Sequence, residues 1–117
     1  MQQRPKCPAC ERHAAFMVFL QSLLELGYPV RLEHRFHSSR RWKFDVALLE
    51  VLIAVEIDGG GWVHGAHHRK KGRDNDNEKD AEAQILGWRV IRVGWEHVKD
   101  GQALTLVRRM VEEEDDE

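Results

Sequence analysis

The amino-acid sequence predicts an α/β sandwich in which helices flank a mixed central β-sheet. Apolar residues recur at helical spacing near both ends of the chain, whereas alternating apolar and polar residues occupy its middle. One strand-like run follows a second helical segment, and this order predicts a mixed sheet. The 117 residues are enough for one hydrophobic core, so a single domain over 1–117 is expected.

The first half of the chain is expected to contain one helix and three strands. Apolar side chains recur every three or four residues from about Glu11 to Leu26, and Gly27 and Pro29 then form a common helix stop. Three strands are expected over Val30–Phe36, Trp42–Leu49 and Leu52–Asp58. A short turn around Glu50 separates the last two, which predicts a β-hairpin.

Alternation assigns the side chains of these strands to two faces. In the first strand, one face is expected to hold Leu32, His34 and Phe36. In the second strand, Phe44, Val46 and Leu48 are expected together, with Asp45 on the opposite face. In the third strand, one face is expected to hold Glu56 and Asp58. Asp45 on the neighbouring strand is expected to point to the same face as these two acids.

The second half is expected to add a loop, two helices and a strand. Gly59-Gly60-Gly61 ends the third strand and begins a polar, basic loop that runs to about Arg73. A helix is expected over Asn75–Leu86, a strand over Trp88–Val93 and a final helix from about Gly101 to Val111. The expected element order is therefore α-β-β-β-α-β-α.

Positive charge is concentrated in two segments although the formal net charge is −2. Six of the 20 acidic residues form an acidic tail over 112–117, so the rest of the chain has 18 basic against 14 acidic residues, a net charge of +4. The basic clusters lie at 37–43 and 64–73. Such clusters can bind phosphates even in a protein of near-zero net charge, and solvated loops are the alternative.

The N-terminal residues 1–10 are expected to be flexible. Cys7 and Cys10 supply only half of the four ligands of a closed zinc site, so reduced thiols are expected rather than structural zinc. The segment has no apolar signal core, and no apolar run in the chain approaches the roughly 20 residues that cross a bilayer. These features predict an intracellular, cytoplasmic protein without membrane contact.

Three acids carry the candidate chemistry: Asp45, Glu56 and Asp58. Three carboxylates brought close together repel one another unless a cation neutralises them. Oxygen ligands favour a hard ion such as Mg²⁺, for which Mn²⁺ can substitute. Exposed acids paired with lysines and arginines are the alternative. The glycines that follow Asp58 favour the metal interpretation, because they let a nucleic-acid backbone approach closely.

The order Asp45, then Glu56-Ile57-Asp58, resembles the core motif of the PD-(D/E)XK nuclease superfamily. Roughly 33–93 is similar to phage-encoded nucleases related to archaeal-type Holliday junction resolvases and to very short patch repair endonucleases. The matching segments are Arg35-Phe36-His37, Arg40-Arg41-Trp42-Lys43-Phe44-Asp45, Val55-Glu56-Ile57-Asp58-Gly59-Gly60, Trp62, His67, Arg69, Gly72, Asp76, Glu78-Lys79 and Gly87-Trp88-Arg89-Val90. The resemblance implies a restriction-endonuclease-like sandwich and a metal-dependent endodeoxyribonuclease that cleaves four-way junctions, in the host cytoplasm if phage-encoded.

The chain departs from the superfamily pattern at Asp58, which stands where a lysine is usual. Lys79 on the following helix is our candidate for the missing cation, and a surface ion pair with Glu78 or Glu82 is its alternative role. Glu33 is a candidate water-positioning or metal-binding acid, with cross-strand pairing to an arginine as the alternative. The resemblance implies metal ligands at Asp45, Glu56, Asp58 and the carbonyl of Ile57.

Phosphate contacts are expected from the two basic clusters, namely Arg40, Arg41, Lys43, His67, Arg69, Lys70, Lys71 and Arg73. No group that reads base edges is evident, so recognition of DNA shape is expected. Two symmetric cuts in a four-way junction imply a twofold dimer. Two alternatives stay open: a nicking or mismatch-repair endonuclease that acts on duplex DNA, and a catalytically inactive DNA-binding module.

Overall fold

The computed structural model describes residues 8–58 and 77–115. The elements follow one another as α1 (Pro8–Glu25), β1 (Val30–Arg35), β2 (Lys43–Leu48), β3 (Ile53–Asp58), α2 (77–85), β4 (Arg89–Gly94), α3 (Trp95–Asp100) and α4 (Gln102–Asp115). The predicted helices and strands are confirmed, although α1 begins at Pro8, within the segment 1–10 that was expected to be flexible. The short helix α3 was not predicted, because six residues with a single buried side chain, Val98, produce no helical periodicity.

The four strands form one mixed sheet in the order β1-β2-β3-β4. Antiparallel pairing joins β1 to β2 and β2 to β3, which confirms the predicted hairpin. Strand β4 returns parallel to β3 after α2, with Glu56 opposite Arg92. Neither the parallel pairing nor its register has a local sequence signal, and both decide which side chains meet at the site.

Two apolar clusters cover the two sides of the sheet, as expected for helices on both faces. The first cluster joins the sheet to α1, α3 and α4 through Phe19, Leu23, Val46, Leu48, Ile53, Val55, Val93, Val98, Ala103, Val107 and Val111. The second cluster lies on the α2 side and contains Phe44, Ala47, Ala54, Ala83 and Trp88. Each fully buried valine, leucine or phenylalanine stabilises the fold by about 1.5–3 kcal/mol.

Strand β2 changes the side to which its residues point. Val46 and Leu48 belong to the first cluster, whereas Phe44 belongs to the second. The prediction that these three side chains share a face is therefore wrong. Asp45 lies at the change, where it lines a pocket with Ile57 and Trp95 on the side of the first cluster.

The side chains of β1 also stop alternating between the two faces of the sheet, at Glu33, which lies level with Asp45 on β2. Leu32 lines the pocket on the side of the first cluster, whereas His34 contacts Trp88 and Phe36 packs against the second cluster. Glu33 has a φ of 51°, a left-handed conformation that interrupts strand alternation. The prediction of a common face for Leu32, His34 and Phe36 is therefore wrong.

The ends of α1 and α2 agree with the predicted stops. Gly27 and Gly87 follow the two helices with φ values of 92° and 93°, which glycine adopts without steric cost. No helix among the residues that the structure describes is both long enough and apolar enough to span a membrane. Cys10 is exposed near the start of α1, and Cys7 lies outside the described residues.

Candidate active site

Asp45 and Glu56 are joined through each other's backbone. The amide of Asp45 donates to Oε1 of Glu56 at 3.0 Å, and the amide of Ile57 donates to Oδ2 of Asp45 at 2.8 Å. The residue pairing of β2 with β3 extends to Val46 opposite Val55, so these bonds lie where that pairing ends. Two carboxylates thus occupy positions that backbone carbonyls hold elsewhere in a sheet, and their orientation is fixed by the main chain.

Lys79 contacts the other oxygen of Glu56. Its Nζ lies 2.5 Å from Oε2, and both residues are only 8% exposed. Ala83 lies one turn further along α2 and is fully buried, so this face of the helix packs on the sheet and directs Lys79 inwards. The ammonium also lies 5.6 Å from the centre of the Phe44 ring, within range of a cation–π contact.

Neither of the surface partners considered for Lys79 pairs with it. Glu78 pairs with Arg40 at 3.3 Å, and Glu82 pairs with Nε2 of His37 at 3.0 Å. The alternative of a surface ion pair is therefore wrong. The structure instead brings Lys79 to the acid that the sequence singled out.

Arg92 is a second cation at the site, and sequence reasoning missed it. Its Nη1 lies 3.9 Å from both Glu56 Oε2 and Asp58 Oδ1, and its Nη2 lies 2.8 Å from Asp80 Oδ1. The contact with Glu56 arises because these two residues are opposite each other in the parallel β3–β4 pair. Arg92 thereby links the end of β3 to helix α2.

The three predicted acids do not share one face. Glu56 contacts Lys79 on the α2 side, whereas Asp45 lines a pocket on the α1 side. The carboxylate of Asp58 is 67% exposed at the end of β3. Within 8–58 and 77–115, no three histidine, cysteine, aspartate or glutamate side chains are grouped so that they could hold a metal ion. Asp45 and Glu56 therefore form a close pair, with Asp58 separate from it.

Glu33 lies beside Asp45 in the same pocket. The pocket has a volume of about 260 Å³ and is lined by Phe16, Leu32, Glu33, Asp45, Ile57 and Trp95. The Glu33 carboxylate also lies 3.3 Å from Lys43 Nζ on β2. Cross-strand pairing, considered for Glu33 as an alternative, is thus present, although the partner is a lysine.

The 37–43 basic cluster is ordered by contacts with α2. Nδ1 of His37 accepts hydrogen bonds from the amides of Ser39 and Arg40, at 3.2 and 3.0 Å. The Arg40 guanidinium lies 3.9 Å from the centre of the Trp42 ring, and Arg41 and Lys43 are exposed. Cations on an ordered loop beside the acids are suitably placed to contact a phosphate backbone.

The remaining predicted contacts, His67, Arg69, Lys70, Lys71 and Arg73, lie outside the described residues, as does Trp62. Among the described residues, His34 on β1 has a shifted pKa. Burial beside Trp88 lowers the pKa of His34 below its usual 6.5, and the Arg31 guanidinium lowers it further.

Comparison with known proteins returns no match. No protein-family model, no curated protein and no solved structure matches this chain.

Proposed function

We propose that the protein is a metal-dependent endodeoxyribonuclease that cleaves phosphodiester bonds in four-way DNA junctions. The observation that carries the proposal is the linked set Asp45, Glu56 and Lys79 at the point where the pairing of β2 with β3 ends. Burying an acid and an amine is costly even when they are paired, and apolar residues fill such positions at no loss of stability. We therefore infer a functional rather than a stabilising role for this buried pair.

The donor set fits a hard divalent cation. Asp45 uses one carboxylate oxygen on a backbone amide, and its other oxygen has no hydrogen-bond partner among the described residues. Magnesium is commonly held by one or two carboxylates together with water and substrate phosphate, so three grouped acids are not required. The other oxygen of Asp45 and the carbonyl of Ile57 would hold the ion. Both oxygens of Glu56 already have partners, so Glu56 would join them only by exchanging its contact with the Asp45 amide or with Lys79. Asp58, exposed at the end of β3, would be a further oxygen ligand only if its side chain turned toward this pair.

A bound Mg²⁺ supplies Lewis acidity and lowers the pKa of a coordinated water. The protein's own contribution is orientation and charge. The amides of Asp45 and Ile57 keep the two carboxylates in fixed positions. Lys79 neutralises Glu56 and has two further N–H groups that can donate to a phosphate oxygen or to the attacking water. Glu33, which lines the same pocket as Asp45 and pairs with Lys43, would orient that water from the Asp45 side.

We assign DNA binding to the two basic clusters. Arg40, Arg41 and Lys43 belong to the described residues, whereas His67, Arg69, Lys70, Lys71 and Arg73 are assigned from the sequence alone. Contacts of this type are made to phosphates, so they position the duplex and do not read its sequence. We therefore propose recognition of DNA shape rather than of sequence, and two symmetric cuts in a four-way junction would require a homodimer. With such a substrate the protein would act in the cytoplasm, which is that of the bacterial host if the chain is phage-encoded.

The test is cleavage of end-labelled DNA by purified protein. The substrates are a four-way junction, nicked duplex, duplex with one mismatch and linear duplex, each with Mg²⁺, Mn²⁺ or EDTA. Asp45→Asn and Glu50→Gln are assayed in parallel, since Glu50 is an exposed acid in the turn at the other end of the hairpin. We expect paired cuts in the junction, lost with EDTA and with Asp45→Asn and retained with Glu50→Gln.

Two other outcomes would replace this proposal. Metal-dependent cutting of mismatched or linear duplex, without preference for the junction, would identify a repair or nicking endonuclease. Tight binding of the junction without cleavage in either metal would identify a DNA-binding module. Activity equal in wild type and Asp45→Asn would show that the acids have no catalytic role.

A further inference from the structure

The pocket beside Asp45 combines apolar walls with acidic groups. Phe16, Trp95 and Ile57 pack against the first cluster, which gives the pocket rigid walls. The rings of Phe16 and Trp95 meet edge to face, with centroids 6.3 Å apart and planes at 69°. Leu32 also lines the pocket and is 44% exposed. A flat, apolar group can therefore enter from solvent and lie directly against Asp45.

Charges around the pocket suit a nucleotide. The guanidinium of Arg12 lies 5.8 Å from the centre of the Trp95 ring, so a cation is available for a phosphate near the aromatic wall. At the rim, Glu33 and Lys43 lie 3.3 Å apart and offer an acceptor and a donor side by side. Nucleobases carry both kinds of group on their edges, and they stack on aromatic side chains irrespective of sequence.

We propose that this pocket binds one nucleobase that has left the stack of a branched DNA, next to the phosphodiester bond held at Asp45. The inference rests on the proposed nuclease function and specifies how that function selects its substrate. A base at a branch point or mismatch unstacks at less cost than a base within a continuous duplex. Entry of the base would bring only distorted DNA into position for cleavage, and so give selectivity for shape.

The experiment measures base unstacking separately from cleavage. Four-way junctions carrying 2-aminopurine at single positions around the branch point are titrated with protein in EDTA, so that no strand is cut. We expect a fluorescence change confined to one nucleotide next to the cleavage position. Linear duplex with the same label should show none.

Two variants test whether the pocket causes the signal. Leu32→Trp fills the pocket from an exposed position, and it should abolish the signal and weaken junction binding about tenfold without changing affinity for linear duplex. Leu106→Trp places the same side chain on α4 at a residue that is 38% exposed, and it should behave like wild type. Trp95→Leu keeps an apolar wall but removes the flat ring, and it should reduce the signal while thermal unfolding reports that the fold is intact.

The outcomes separate this inference from the proposed function. Cleavage of junctions with an unchanged signal in Leu32→Trp, or with no signal at any position, would overturn the pocket assignment alone. Failure to bind any of the DNA substrates would overturn the proposed function and the pocket together.

Discussion

The carboxylate of Glu56 accepts a hydrogen bond from the amide of Asp45 at 3.0 Å, and the Asp45 carboxylate accepts one from the amide that follows Glu56 at 2.8 Å. Each acid therefore fixes the other through the main chain of the neighbouring strand. Since neither bond needs a negative charge on the acceptor, charge and geometry at this site can be separated by substitution.

Asp45→Asn is expected to preserve the fold, because its amide oxygen can still accept from the Ile57 amide. Asp45→Ala leaves that amide without its acceptor and should lower the free energy of unfolding by about 1–2 kcal/mol. Urea unfolding, monitored by circular dichroism, measures the free energy of unfolding of both variants. Equal destabilisation by the two substitutions would show that the charge of Asp45, rather than its hydrogen bond, stabilises the strand edge.

Substitutions of Lys79 and of Glu56 are expected to have strongly non-additive effects on the free energy of unfolding. Each side chain is only about one-tenth exposed. Lys79→Met or Glu56→Gln alone therefore leaves a buried charge without its oppositely charged partner, and each should lower the free energy of unfolding by about 3 kcal/mol. The double variant should cost clearly less than the sum of the two. Lys99→Met is the matched control, because Lys99 is 42% exposed and pairs with Glu11, and it should change stability by less than about 1 kcal/mol. Additive losses in the double-mutant cycle would contradict the coupling.

His34 is expected to contribute to the pH dependence of stability. Its pKa in the folded protein is lowered from 6.5 by burial and by Arg31, so the unfolded chain binds more protons around pH 6. The contribution of neutral His34 to the free energy of unfolding is fully present above pH 6.5, and it is lost as the pH falls through the lower pKa of the folded protein. His34→Gln should therefore lose less stability than wild type between about pH 7 and 5. His13→Gln, at an exposed position on α1, is the control, and a wild-type pH profile in His34→Gln would refute the assignment.

Much of the fold could be predicted because its signals are local. The spacing of Phe19 and Leu23, the glycines after α1 and α2, and the short turn of the β2–β3 hairpin each act within a few residues. The choice of Lys79 came from the resemblance to the nuclease superfamily rather than from a local signal, and the buried Ala83 one turn away shows which face of α2 directs it inwards.

The rest depended on tertiary pairing. The position of Arg92 beside Glu56 follows from the register of the parallel strands, which no nearby residue encodes. At Asp45, the side chains of β2 stop alternating between the two faces of the sheet, and Glu33 on the neighbouring strand has a left-handed conformation. Glutamate rarely adopts this conformation, so the sequence does not predict it. The prediction from strict alternation therefore assigned Phe44, Leu32 and Asp45 to the wrong faces of the sheet.

Arg40 is expected to contribute one phosphate contact. Arg40→Ala should weaken binding to all DNA substrates and reduce the slope of log affinity against log salt concentration by about one. Arg108→Ala is the control, because Arg108 is an exposed arginine on α4 near Leu26 and Tyr28, at the opposite end of α1 from Arg12 and Phe16. Fluorescence anisotropy at several salt concentrations measures the slopes. An unchanged slope in Arg40→Ala would mean that the stacking of Arg40 on Trp42 is its only role.

The most direct test of the central claim is the single-turnover rate of junction cleavage at saturating protein in Mg²⁺. Wild type, Asp45→Asn and Glu50→Gln are compared under identical conditions, after circular dichroism has shown that all three are folded. We predict a rate for Asp45→Asn that is lower by about 100-fold or more, and a wild-type rate for Glu50→Gln. An Asp45→Asn rate within about twofold of wild type would contradict the assignment of Asp45, Glu56 and Lys79 as the hydrolytic centre.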